Sequence, residues 1–149
     1  MKIGEKIPEI KMLDQNKEEF TIEKFQGKKI LLSFHPLAWT GVCTEQMKSL
    51  EKNQKRFKEL NVEAVGVSVD TVPSKAAWAK ELKIEYTKLL ADFWPHGENA
   101  RKLGLFIEDK GVSKRANILI DENGTIIWMK EYEISQLPDI EEVFAALKE

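Results

Sequence analysis

The run Ile30-Leu31-Leu32-Ser33-Phe34 is almost wholly apolar and lacks the alternation of a half-exposed strand. It predicts a strand covered on both faces. Val62 to Val69 is a second run of this kind, rich in β-branched residues. Between the two, Met47, Leu50, Phe57 and Leu60 recur at helical spacings, with Glu51, Lys52, Lys55, Arg56 and Lys58 on the remaining positions, which predicts an amphipathic helix. Strand, helix and strand in that order form a right-handed βαβ unit, whose loops at the carboxyl ends of the strands are the usual place for an active site.

The flanking pattern adds further elements. Ile10–Leu13 and Glu19–Ile22 surround the polar cluster Asp14-Gln15-Asn16-Lys17, the signature of a short hairpin. After Asp70-Thr71-Val72-Pro73 a helix is expected, with Ser74 as N-cap and Ala77, Trp78 and Leu82 turned inward. A short strand at Lys88–Ala91 and a helical turn at Glu98–Leu103, stopped by Gly104, follow. Ala116–Ile120 and Thr125–Met129 flank Asp121-Glu122-Asn123-Gly124, whose Asn-Gly pair is a strong hairpin signal. Ile140, Val143, Phe144 and Leu147 place a terminal helix behind Pro138 and Asp139. The sum is an α/β sandwich around a mixed sheet with an added N-terminal hairpin.

With 149 residues and no break in composition, residues 1–149 are read as a single domain. The formal charge is −2 and the basic residues are scattered, which argues against nucleic acid as a partner. The start, Met1-Lys2-Ile3-Gly4-Glu5-Lys6-Ile7-Pro8, is no signal peptide, and no apolar run approaches membrane-spanning length. A cytoplasmic protein without membrane association is expected. Cys43, His35 and His96 are the only soft metal ligands, so neither metal nor cofactor is expected.

Cys43 is the sole cysteine. It stands where the first buried strand passes through His35-Pro36-Leu37-Ala38-Trp39-Thr40-Gly41-Val42 into the first turn of a helix, where peptide dipoles and unpaired N–H groups favour a thiolate. A lone cysteine is more often an inert core thiol, and only its surroundings argue otherwise. Thr40, three residues earlier, puts its hydroxyl on the sulfur side of the first turn, as cap or as hydrogen-bond partner. Gly41 lets the backbone approach closely. Pro36 ends the strand and shields the site.

Pro36-x-x-x-Thr40-x-x-Cys43 behind a buried strand resembles the peroxiredoxins, thiol-dependent peroxidases of the AhpC/TSA family within the thioredoxin superfamily. Val67-Ser68-Val69-Asp70 and Leu90-Ala91-Asp92-Phe93-Trp94-Pro95-His96-Gly97 are similar to further family segments, and to its one-cysteine, AhpE-like branch in particular. The resemblance implies a thioredoxin-like fold and a distant arginine joining Pro36, Thr40 and Cys43. Arg115, in Lys114-Arg115-Ala116-Asn117, matches that arginine's setting; on its own it reads as a solvated charge. Trp39, Val42, Gln46 and His35 are further candidates for the substrate pocket. Trp39 and His35 read equally well as packing residues, and Gln46 stands where many family members carry Glu. A homodimer is expected on the same ground.

The chemistry implied is attack of the Cys43 thiolate on a peroxide oxygen. Lowering a thiol from roughly 8.5 to about 6 multiplies the thiolate at neutral pH only about thirty-fold, worth about 2 kcal/mol. Fast peroxide reduction needs donors aimed at both oxygens as well, a role assigned to Thr40 O–H, Arg115 N–H and backbone N–H groups at Val42 and Cys43. The resulting sulfenic acid condenses with a thiol. A resolving cysteine in the same helix would fall at Lys48, and a C-terminal one beyond Gly111; neither exists. A small thiol or a thioredoxin-like or glutaredoxin-like protein must then resolve the intermediate. A thiol-disulfide oxidoreductase on the same scaffold would need Cys-x-x-Cys, and Thr40 holds that earlier position. A non-enzymatic redox-sensing module is the remaining alternative.

Overall fold

A computed structural model describes residues 1–148 of the chain. Its centre is a seven-stranded mixed sheet in the order β2-β1-β5-β4-β3-β8-β9. The strands are β1 (Lys11–Leu13), β2 (Glu19–Thr21), β3 (Lys29–Phe34), β4 (Val62–Ser68), β5 (Lys88–Ala91), β8 (Arg115–Ile120) and β9 (Ile126–Tyr132), with β6 (Phe106–Ile107) and β7 (Val112–Ser113) forming a separate small hairpin. β3, β4 and β5 run parallel, whereas β8 lies antiparallel to β3 and β9 antiparallel to β8. The N-terminal hairpin joins the opposite edge through an antiparallel pairing of β1 with β5.

Five α-helices and one short 3-10 helix (Glu23–Phe25) accompany the sheet among the described residues: the α-helices are α1 (Gly41–Lys52), α2 (Gln54–Glu59), α3 (Val72–Leu82), α4 (Glu98–Lys102) and α5 (Ile140–Leu147). β3 is sandwiched as its apolar run requires. Ile30, Leu32 and Phe34 enter one core with Val65, Val67 and Ile118, while Leu31 enters another with Met47, Leu50, Trp78 and Phe144. This alternation is the two-residue period of a strand. It puts Ser33 on the Leu31 face, paired in register with Asn117 of β8. Arg115, two residues from Asn117 on β8, therefore shares that face, which α1 also covers.

Three local expectations differ from the structure. The predicted continuous helix before β4 is two helices, broken at Asn53, whose side chain donates to the Ser49 carbonyl at 2.8 Å; such a local bond competes with helix propagation. The cap of α3 is Thr71, whose Oγ1 accepts from Ser74 N at 3.2 Å, so Ser74 is the third helical residue and not the cap. Ala77 is exposed, and the inward face of α3 carries Lys75 with Trp78, Ala79 and Leu82. The spacing is helical throughout. A lysine occupies a position that the pattern reserves for an apolar residue.

Candidate active site

Cys43 lies in the first turn of α1 with no exposed surface. Thr40 is the N-cap residue by backbone, extended at φ −93° and ψ 156°, and its carbonyl accepts the Thr44 amide at 2.9 Å. Its hydroxyl makes no cap bond; it donates instead to the Leu37 carbonyl at 2.8 Å. The expected cap or sulfur contact of this hydroxyl is thus absent, and the first-turn amides of α1 have no side-chain acceptor from Thr40. They retain the anion-favouring character of an open helix N-terminus.

Arg115 reaches the sulfur from β8. Its Nη1 lies 3.3 Å from Cys43 Sγ and 2.7 Å from Gln46 Oε1. Nε and Nη2 both donate to the Ile134 carbonyl, at 3.0 and 2.7 Å. Arg115 is 2% exposed, so the position of its guanidinium is set by these partners and not by solvent. A fixed cation beside the sulfur favours S⁻ over SH electrostatically.

Gln46 is buried and committed to internal partners. Its amide nitrogen donates to Ser33 Oγ at 2.7 Å and to the Phe34 carbonyl at 3.1 Å, leaving the oxygen for Arg115. The acceptor that Gln keeps is therefore enough to hold the arginine. His35, also fully buried, turns its ring toward Ser33 and Lys75: Nδ1 lies 3.3 Å from the Ser33 carbonyl and Nε2 lies 2.8 Å from Lys75 Nζ. Neither residue lines an open pocket. Pro36 is buried at the end of β3, while Val42 is half-buried and Thr40 and Trp39 are exposed.

The loop between β3 and α1 is clamped by the β4–α3 corner. Ala38 N donates to Asp70 Oδ2 at 2.8 Å, and Ser68 Oγ donates to the same oxygen at 2.5 Å. Trp39 has a left-handed backbone, φ 72°, unusual for a bulky residue, and its indole donates to Ser74 Oγ at 3.1 Å. Strain of this kind persists only where neighbours hold it. Sequence reasoning missed Asp70, Ser74, the Ile134 carbonyl and Lys75 as parts of the site. Lys75 carried a signal as a charge in register with the apolar face of α3, and Asp70 ends the family-like segment Val67-Ser68-Val69-Asp70.

A cleft of about 250 Å³ between Pro8, Phe25 and the Asp121–Gly124 turn includes Ile30, at the opposite end of β3 from the loop that leads to Cys43. The Cys43–Arg115 pair lies beyond the carboxyl end of β3, where loops of this topology usually hold an active site.

The family model described as AhpC/TSA matches residues 3–129, and the chain belongs to this family. It is 32% identical over 127 residues to alkyl hydroperoxide reductase E of Mycobacterium tuberculosis, covering 85% of this chain and 82% of that protein. A peroxiredoxin of Thermoplasma volcanium is 30% identical over 151 residues, covering 98% and 73% of the two chains. Among solved structures, the reduced 2-Cys peroxiredoxin of Plasmodium vivax superimposes with a TM-score of 0.89 at 28% identity, covering 99% of this chain and 81% of that one. The fold is accordingly the thioredoxin-like fold of peroxiredoxins, and the protein is a thiol-dependent peroxidase. Its single cysteine fits a one-cysteine mechanism.

Proposed function

We propose that Cys43 is the peroxidatic nucleophile, that Arg115, Thr40 and Pro36 complete its site, and that hydrogen peroxide and small organic hydroperoxides are its substrates. One observation carries this reading: Arg115 Nη1 lies 3.3 Å from Cys43 Sγ at an N-terminus of α1 that no side chain of Thr40 caps. The alkyl hydroperoxide reductase to which the chain is similar supports the organic substrates.

The thiolate attacks the distal peroxide oxygen in line with the O–O bond. An S–O bond forms, the O–O bond breaks, and its electron pair departs on the other oxygen, which takes one proton and leaves as water or alcohol. Sulfur loses two electrons and the peroxide gains them. Negative charge thus migrates from sulfur to oxygen within a few ångströms. The guanidinium fork stays charged and spans both positions, and the first-turn amides at Val42 and Cys43 add fixed dipoles. Leu37, Trp39, Thr40 and Gly41 form the exposed front of the site, the side from which the peroxide arrives. Rotation of the Thr40 hydroxyl away from the Leu37 carbonyl gives it a peroxide oxygen as partner. Pro36 closes the site behind without offering an N–H that would compete for the peroxide.

The sulfenic acid on Cys43 is resolved by an external thiol, either a small molecule or a thioredoxin-like or glutaredoxin-like protein, because the chain holds no second cysteine. We read residues 1–149 as one peroxidase domain, supported by the continuous sheet from the N-terminal hairpin to β9. A homodimer is supported by the exposed Trp39 and Trp94, 53% and 82% accessible in the isolated chain. A cytoplasmic location is consistent with described residues that contain no helix long and apolar enough to cross a membrane.

Stopped-flow mixing of reduced protein with micromolar peroxide tests the reading. Sub-second oxidation of wild type, absent in Cys43→Ser, is the expected result. Mass spectrometry of the product, with and without an added thiol, should show sulfenic acid and then a mixed disulfide. Slow oxidation of wild type on the scale of a free thiol would overturn the assignment.

A further inference from the structure

The loop that leads to the cysteine begins at His35, which is bonded to a second buried basic side chain. Lys75 and His35 both have no exposed surface, and Lys75 Nζ lies 2.8 Å from His35 Nε2. His35 Nδ1 faces the Ser33 carbonyl at 3.3 Å. A carbonyl only accepts, so Nδ1 carries the imidazole proton and Nε2 accepts from Lys75. That bond is the sole hydrogen bond of the lysine nitrogen among the described residues, its other neighbour being the Trp78 ring, centred 5.3 Å away. An ammonium with three N–H groups and one acceptor is poorly compensated for leaving water.

Burial accordingly brings Lys75 down from 10.5 to about 7, with the charges of Asp70 and Cys43 opposing the fall. His35 is held well below its ordinary value by burial first, then by Lys75 and by Arg115, against the Ser33 carbonyl. The imidazole is neutral and the pair carries at most one charge. Three ionisable groups therefore surround the lysine–histidine pair: Asp70 from the β4–α3 corner and Cys43 from α1 act on Lys75, and Arg115 from β8 acts on His35. The contacts also form one chain. Arg115 joins Gln46, Gln46 joins Ser33, Ser33 joins His35 and His35 joins Lys75, at distances of 2.7 to 3.3 Å.

An apolar side chain would fill the Lys75 position at no electrostatic cost, and buried ions are generally poor stabilisers. We propose that Lys75, positioned by His35, is a second counter-charge to the Cys43 thiolate, acting from the α3 side while Arg115 acts from β8. It does not touch the peroxide; it is a positioning residue that acts through the field at the sulfur. Its influence is greatest where its ammonium and the thiolate coexist. It vanishes at high pH, where the amine is neutral and the thiolate forms without assistance.

This inference rests on the assignment of Cys43 as nucleophile, and the test separates the two. Thiolate formation is followed by ultraviolet absorbance of the reduced protein without peroxide, and the second-order rate with hydrogen peroxide is measured across the same pH range. Wild type, Lys75→Met and the double variant Lys75→Met/His35→Phe are compared. The double variant replaces the whole pair by apolar groups of similar volume, so it stays folded if the single change leaves His35 unpaired and unstable. For both variants the thiolate curve should move to higher pH by about one unit, with the rate down about tenfold near pH 6 and converging on wild type near pH 9. Thiolate curves that superimpose on wild type would overturn the proposal, and so would an equal loss of rate at every pH. If wild type itself shows no fast reaction with peroxide, the nucleophile assignment fails instead.

Discussion

Gln46 holds Arg115 by the same nitrogen that faces the cysteine: Nη1 lies 2.7 Å from Gln46 Oε1 and 3.3 Å from Cys43 Sγ. The glutamine supplies direction without charge. Gln46→Leu removes the acceptor and leaves Ser33 Oγ and a buried guanidinium N–H unpaired, at about 1–3 kcal/mol of stability. The rate with hydrogen peroxide should fall about tenfold or more as the fork loses its aim. Stopped-flow rates beside urea denaturation check both effects.

Arg115 owes its orientation to the Ile134 carbonyl, which accepts from both Nε and Nη2. Arg115→Lys keeps a charge but cannot grip that carbonyl twice and still reach the sulfur. A loss of about 100-fold in the second-order rate is expected, with a smaller change in melting temperature. A lysine variant as fast as wild type would show that charge alone suffices.

The buried lysine makes stability depend on pH. Its folded value, about 7, lies below the 10.5 of the free side chain. Between these two the unfolded chain binds more protons than the native one, so this group's contribution rises with pH across that window. Below about 7 the folded state carries the full burden of the buried charge. Wild type should therefore gain stability relative to Lys75→Met as pH is raised from 7 toward 10, seen as a wild-type urea midpoint that rises against the variant's. A difference between the two midpoints that stays constant with pH would show that Lys75 ionises freely in the fold.

Glu51 makes the opposite contribution at the other end of the pH range. Burial opposes its ionisation, yet the amides of Glu85, Tyr86 and Thr87 and the Thr87 hydroxyl outweigh that and hold its carboxyl below 4.5. Its stabilisation is complete above 4.5 and disappears as pH falls through the lowered folded value. Glu51→Gln should cost about 1–2 kcal/mol near neutrality and make acid unfolding less steep. Circular dichroism during acid titration of both proteins measures this.

The elements that positioned Cys43 were legible because their signals are local. β3 is a continuous apolar run, the β8–β9 turn carries Asn-Gly, and Asp139 caps α5 by accepting from Glu141 N at 2.9 Å. The site's supports were harder to read because they depend on contacts between distant residues. Nothing near Gln46 in sequence reveals that Arg115 and Ser33 will flank it. Asp70 becomes a clamp only when β4 is placed beside β3. Ala77 reads as an inward residue beside Trp78 and Leu82, yet the structure exposes it and buries Lys75 instead. Thr71 and Ser74 compete for one cap, and the bond from Ser74 N to Thr71 Oγ1 decides it.

Cys43 has no surface in contact with solvent, and the segment before it is tied down through Ala38 and Trp39. A small oxidant needs only a slight parting of that segment, whereas a bulky electrophile must wait for it to lift away. The site is thus a kinetic sieve by size. Bulky maleimides should alkylate Cys43 slowly and at a rate independent of their concentration once opening limits it, while Trp39→Gly should hasten labelling by loosening the latch.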